Sequence, residues 1–168
     1  MATDYSTKES ASASLTLKII NPLVEAVGET FSAMLNAEVQ RTSFDLRPEN
    51  AENYDYSALI GVSGTAQGSF CLSLTTDTAT KAVSRFTGLD LDQSKKILSD
   101  GVGEFTNVIV GSAKSKLTIP LNLGIPNVIH GNEYQVDFPP DAKPMRVEFD
   151  SDLGPLLIDF GFVQSSLK

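Results

Sequence analysis

The sequence predicts an α+β fold, a mainly antiparallel sheet covered on one face by helices, and three observations lead to it. Two apolar runs, residues 57–63 and 69–75, are separated by Gly64-Thr65-Ala66-Gln67-Gly68, a spacing that suits an antiparallel hairpin. Other stretches repeat apolar residues at helical spacing and carry cap residues at their ends. After the last helical stretch the chain returns to short apolar runs of strand length. With 168 residues, 41% of them apolar, there is enough chain and hydrophobicity for one packed domain, which excludes disorder by low hydrophobicity.

Residues 6–14 are rich in Ser, Thr and Ala without apolar periodicity, so residues 1–14 are expected to form a flexible tail before a single domain over residues 15–168. Asn21-Pro22 predicts a helix start, a capping side chain followed by a proline suited to the first turn. Leu23, Val24, Val27, Phe31, Met34 and Leu35 then define an amphipathic helix. Residues 39–46 alternate as a strand, and residues 47–56, with Pro48, read as a loop. The two Gly-flanked strands follow. Gly64 and Gly68 do not make a nucleotide loop, because no Lys-Ser or Lys-Thr follows them. Thr76-Asp77-Thr78 supplies cap chemistry for a helix through Ala79, Ala82, Val83 and Phe86, which Gly88 ends. One longer helix is expected over residues 92–117. Pro120 and Gly124-Ile125-Pro126 break the chain after it, and residues 133–138, 145–149 and 156–162 read as strands.

Charge and composition remove several function classes. A net charge of −8 with no basic stripe argues against a nucleic-acid binder. No run approaches the apolar length of a membrane span, and the first residues lack a signal-peptide pattern, so a cytoplasmic protein is expected. Cys71 is the sole cysteine, which excludes an intrachain disulfide and a cysteine zinc site. His130 is the sole histidine and has no nucleophile near it in sequence. Asp150, Asp152 and Asp159 lack calcium-loop spacing and read as a solvated edge.

The informative feature is Asp100-Gly101-Val102-Gly103-Glu104-Phe105-Thr106-Asn107. At about 100° per residue, Asp100, Glu104, Asn107 and Gly111 share a sector roughly 60° wide, turned away from Leu98, Val102, Phe105 and Ile109. An acid on such a face can engage a cationic group of a partner, while an amide, both donor and acceptor, can orient a water. Gly101, Gly103 and Gly111 each cost a helix interior about 0.5–1 kcal/mol relative to Ala. Such a cost fits close approach, either of a docking partner at Gly103 and Gly111 or of the chain's own sheet, which suits Gly101 best.

An acid, a Glu four residues on and an Asn three further on resemble the motif of the CheC/CheX chemotaxis phosphatases. The single copy here is similar to the CheX branch, and so is the order of elements between about Leu15 and Val163, including Gly61-Val62-Ser63-Gly64 and Ile125-Pro126-Asn127-Val128-Ile129-His130-Gly131. The resemblance implies a CheC/CheX-like fold, a homodimer, and hydrolysis of the aspartyl phosphate of a CheY-like receiver domain. It implies that Glu104 pairs with the receiver's lysine and that Asn107 holds a water in line with phosphorus. Asp100, Gly103 and Gly111 would serve docking. The Mg²⁺ of the reaction would be the receiver's, with no cofactor of the chain's own. Two positions depart from the family's pattern: Thr106 stands where Gly is common, which predicts bulk beside the amide, and Gly103 stands where a larger residue is frequent. A non-catalytic module that docks on a receiver, or a dimerisation domain, fits the same residues.

Overall fold

A computed structural model describes residues 2–166. Helix α1 spans Ala2–Leu35, followed by strands β1 (Val39–Leu46), β2 (Tyr56–Gly64) and β3 (Ala66–Leu74). Helices α2 (Thr76–Thr87), α3 (Leu91–Lys95) and α4 (Leu98–Ser115) come next, then β4 (Leu121–Leu123), β5 (Asn127–His130), β6 (Met145–Ser151) and β7 (Leu156–Gln164). The strands form one antiparallel sheet in the order β1-β6-β7-β3-β2-β4, with β5 also on β2. Among the described residues, no helix is long and apolar enough to cross a membrane.

Period-two alternation divides the central strands between two environments. Phe70, Leu72 and Leu74 of β3 and Leu156, Ile158, Phe160 and Phe162 of β7 join the core beneath the helices. There they meet Leu23, Val27 and Phe31 of α1 and Val102, Phe105 and Ile109 of α4. The intervening residues, Cys71, Ser73 and Asp159, are buried too. The far face is covered by irregular chain. The strand expected over residues 133–138 is not one: that segment crosses the sheet face and makes no ladder. Its alternation is real nevertheless. The Tyr134 hydroxyl donates to Ser57 Oγ, Val136 is buried, and Phe138 lies against Gly161, where a Cβ would come within 2.9 Å of its ring.

This covering explains a second correction. Asp159, expected on a solvated edge, is fully buried and accepts from Arg47 Nε and from Nε and Nη2 of Arg146, each at 2.8 Å. Burying a carboxylate requires such pairing. Asp152 is exposed as expected, and its Oδ2 accepts from the Glu38 backbone N–H at 2.8 Å.

Three helix boundaries also differ from expectation. Helix α1 continues back through the segment read as a tail, and Ser12 is buried with its Oγ donating to Phe162 O at 3.3 Å. Met1 of that segment lies outside the described residues. Pro22 therefore lies inside α1. Leu15, Ile19 and Ile20 carry the apolar stripe of Leu23 and Val27 upstream, and their burial outweighs the hydrogen bond that proline removes. The helix expected over residues 92–117 is α3 and α4, separated where Lys96 and Ile97 donate to the carbonyls of Gln93 and Ser94. Those i→i+3 bonds tighten and close α3. The hairpin connection has the expected length, since β2 and β3 pair from Tyr56↔Leu74 only as far as Val62↔Gly68, leaving residues 63–67 between them. The strands themselves run on to Gly64 and start at Ala66 because β2 pairs there with β4 and β3 with β7. Strands β4 and β5, not anticipated, cover the outer edge of β2 in two pieces joined by the Gly124 N–H donating to Gly61 O at 2.8 Å.

Candidate functional site

Helix α4 carries Asp100, Glu104 and Asn107 and is gripped along its length. Phe105 packs edge-on against Phe31 of α1 and Phe86 of α2, with ring centroids 5.6 and 6.3 Å apart. A Cβ at Gly101 would lie 2.6 Å from Val83 Cγ2, so this glycine lets a helix, α2, close on α4, where close approach of the sheet was expected. Gly103 departs from its expected docking role. It is buried, and a Cβ there would lie 3.2 Å from Val128 Cγ2 and 3.9 Å from Pro126 Cβ, so it brings β5 against the helix and presents no open surface. Gly111 is half-buried with nothing within 4 Å of its Cβ position.

Asp100, Glu104 and Asn107 are exposed on the remaining face. Among the described residues, no hydrogen bond or ion pair within the chain engages their side chains. The structure thus brings the three together on one surface with their polar groups uncommitted. Thr106 does not crowd them. Its side chain is fully buried and donates from Oγ1 to Val102 O at 2.7 Å, so the bulk expected beside the amide points into the core. A β-branched residue is readily buried on a helix when its hydroxyl bonds the carbonyl one turn back.

The other titratable residues do not join this surface. His130 is exposed at the end of β5, its ring stacked on Tyr56 at 4.3 Å between centroids. Cys71 is buried, and burial together with the nearby Asp159 charge pushes its thiol up to about 12. Such a thiol is not a nucleophile at neutral pH. Among the described residues, no three His, Cys, Asp or Glu side chains gather to hold a metal ion.

The family model described as chemotaxis phosphatase CheX matches residues 56–150, more than half of the chain and all of α4. The chain belongs to the CheX family. Among solved structures, this CheX-family chain is 25% identical to the chemotaxis protein CheX from Desulfovibrio desulfuricans. That alignment covers 86% of this chain and 98% of the other, with a TM-score of 0.73. A CheC-like superfamily protein from Shewanella sp. PV-4 is 25% identical over 86% of this chain and 97% of its own, with a TM-score of 0.76. The CheX–CheY–BeF3–Mg²⁺ complex from Borrelia burgdorferi shares the fold, at 18% identity over 86% of this chain and 97% of that one, with a TM-score of 0.70. No curated protein sequence gives a significant match.

Ile125, in a turn and in the stretch that resembles the family, has no role assigned to it by the sequence. It is 85% exposed, on the loop that joins β4 to β5 beside α4. Its flanking Gly124 and Pro126 fix a turn but do not announce which way the side chain points.

Proposed function

We propose that this CheX-family chain hydrolyses the aspartyl phosphate of a phosphorylated CheY-like receiver domain by positioning a water. The observation that carries the reading is the pair Glu104 and Asn107, exposed, uncommitted and one turn apart on a helix held by two neighbouring helices and a strand. A metal complexed with CheY and CheX in the Borrelia structure supports a Mg²⁺ brought by the receiver. Asp100 and Glu104 are like charges on successive turns, and among the described residues no cation is paired to them. A lysine from the receiver relieves that repulsion, which makes the Glu104 pairing dependent on docking. Once the helix is in register, the Asn107 carboxamide accepts from and donates to one water, holding it in line with phosphorus. The receiver's metal and lysine neutralise the developing charge. Attack breaks the P–O bond to the receiver's aspartate and releases inorganic phosphate. No nucleophile from this chain takes part. Asp100 and Gly111 extend the docking surface. We also read the chain as a homodimer, since the outer edge of β1 is unpaired in the sheet.

Phosphate loss from a phosphorylated receiver in Mg²⁺ tests the reading. The wild-type chain accelerates it. Asn107→Ala lowers turnover by at least an order of magnitude with receiver binding retained, whereas Glu104→Ala weakens binding and turnover together. Purely affinity-based losses from both variants would instead identify a docking module without catalysis.

A further inference from the structure

We propose that Ile125 is an apolar anchor for the receiver, seated on the β5 side of the Asp100–Glu104–Asn107 face and adding affinity there. The inference rests on the receiver reading above and adds a residue that is neither polar nor on α4.

Three observations carry it. Ile125 is the most exposed of the large apolar side chains among the described residues, at 85%, and an isoleucine held in water is an unsatisfied hydrophobic surface. The loop that bears it is pinned. Gly124 N–H donates to Gly61 O at 2.8 Å, Asn127 Nδ2 donates to Ile125 O at 3.4 Å, and β5 is paired to β2 from Asn127 onward. A side chain offered on a fixed backbone loses little ordering entropy when a partner covers it. The loop is also continuous with the polar face. Pro126 and Val128 meet α4 at Gly103, which lies one turn before Asn107 on the same side of the helix. A receiver that lays its phosphorylation site over Asn107 therefore comes down beside Ile125. The buried Gly103 acquires a purpose in this arrangement, since it lets the loop approach close enough for one partner to touch both.

The test measures affinity for a receiver charged with beryllofluoride and Mg²⁺, using the wild-type chain, Ile125→Ser and Leu46→Ser. Leu46 is also an exposed apolar residue, but it ends β1 at the opposite edge of the sheet. Ile125→Ser is expected to weaken binding about tenfold, the loss of one well-buried aliphatic contact. Leu46→Ser leaves binding unchanged. With phosphorylated receiver as substrate, Ile125→Ser raises KM and retains kcat at saturation. Unchanged affinity of Ile125→Ser overturns the inference while leaving the receiver reading intact. Equal weakening by both variants, or loss of self-association by Ile125→Ser with receiver affinity preserved, also overturns it. If the wild-type chain binds no receiver, the underlying reading fails and takes the anchor with it.

Discussion

Gly101 and Gly111 occupy the same helix and respond to the same substitution in opposite ways. A Cβ at Gly101 would come within 2.6 and 2.7 Å of the two Val83 methyls, so Gly101→Ala is expected to destabilise the fold by about 1–3 kcal/mol despite alanine's better helix propensity. At Gly111 a Cβ meets nothing within 4 Å, so Gly111→Ala gains about 0.5–1 kcal/mol. Urea unfolding of both variants checks the pair, and equal shifts in one direction would show that propensity alone governs α4. Thr106 makes the same point about reading residues singly. Beside Asn107 in sequence, it sits on the opposite side of the helix wall, with its hydroxyl spent on Val102 O. The departure from the family's pattern at this position is thereby accommodated in the core, where it leaves the amide's surroundings open.

At the level of elements, local chemistry was legible where a cap or a turn demands one residue type. Gly88 closes α2 at φ 75°, where sequence spacing put it, while the cap that opens α2 is Thr75, one residue before the expected Thr76-Asp77-Thr78, accepting from the Thr78 N–H at 3.1 Å. Thr75→Ala is expected to cost about 1 kcal/mol by thermal or denaturant unfolding, and no change would mean that Thr76 or Asp55 caps in its place. The motif helix was legible in the same way, because the polar stripe and the apolar stripe of α4 are separate runs of residues. Tertiary pairing was less accessible. Residues 133–138 alternate as a strand does, yet whether such a segment joins a sheet edge or lies across a face depends on partners distant in sequence. Strands β4 and β5 are too short to announce themselves and exist because β2 offers them an edge. Asp159 was misread for the same reason, since only the fold reveals that Arg47 and Arg146 converge on it from 112 and 13 residues away.

For the whole molecule, the second buried face of the sheet carries a pH dependence. Cys71 lies in it with a thiol raised from 9.0 to about 12, by burial first and then by Asp159. The folded state therefore holds a proton that the unfolded chain releases above pH 9, and this contribution to stability is complete below pH 9 and is lost as pH climbs towards 12. The stability difference between wild type and Cys71→Ala should accordingly shrink across that window, by an amount on the order of a few kcal/mol. A difference that stays constant in alkaline unfolding titrations would show that the thiol does not titrate in this range. The helix layer has a consequence of another kind. Within three consecutive positions α4 is locked to α2 through Gly101 and to β5 through Gly103, with Phe105 wedged between two rings just beyond. A cylinder chocked on both sides cannot roll, and a roll is the motion that, under the proposed function, would swing Asn107 away from phosphorus. Tolerance for imperfect encounter must then reside in the incoming molecule, and a single rigid template can serve only those guests able to conform to it.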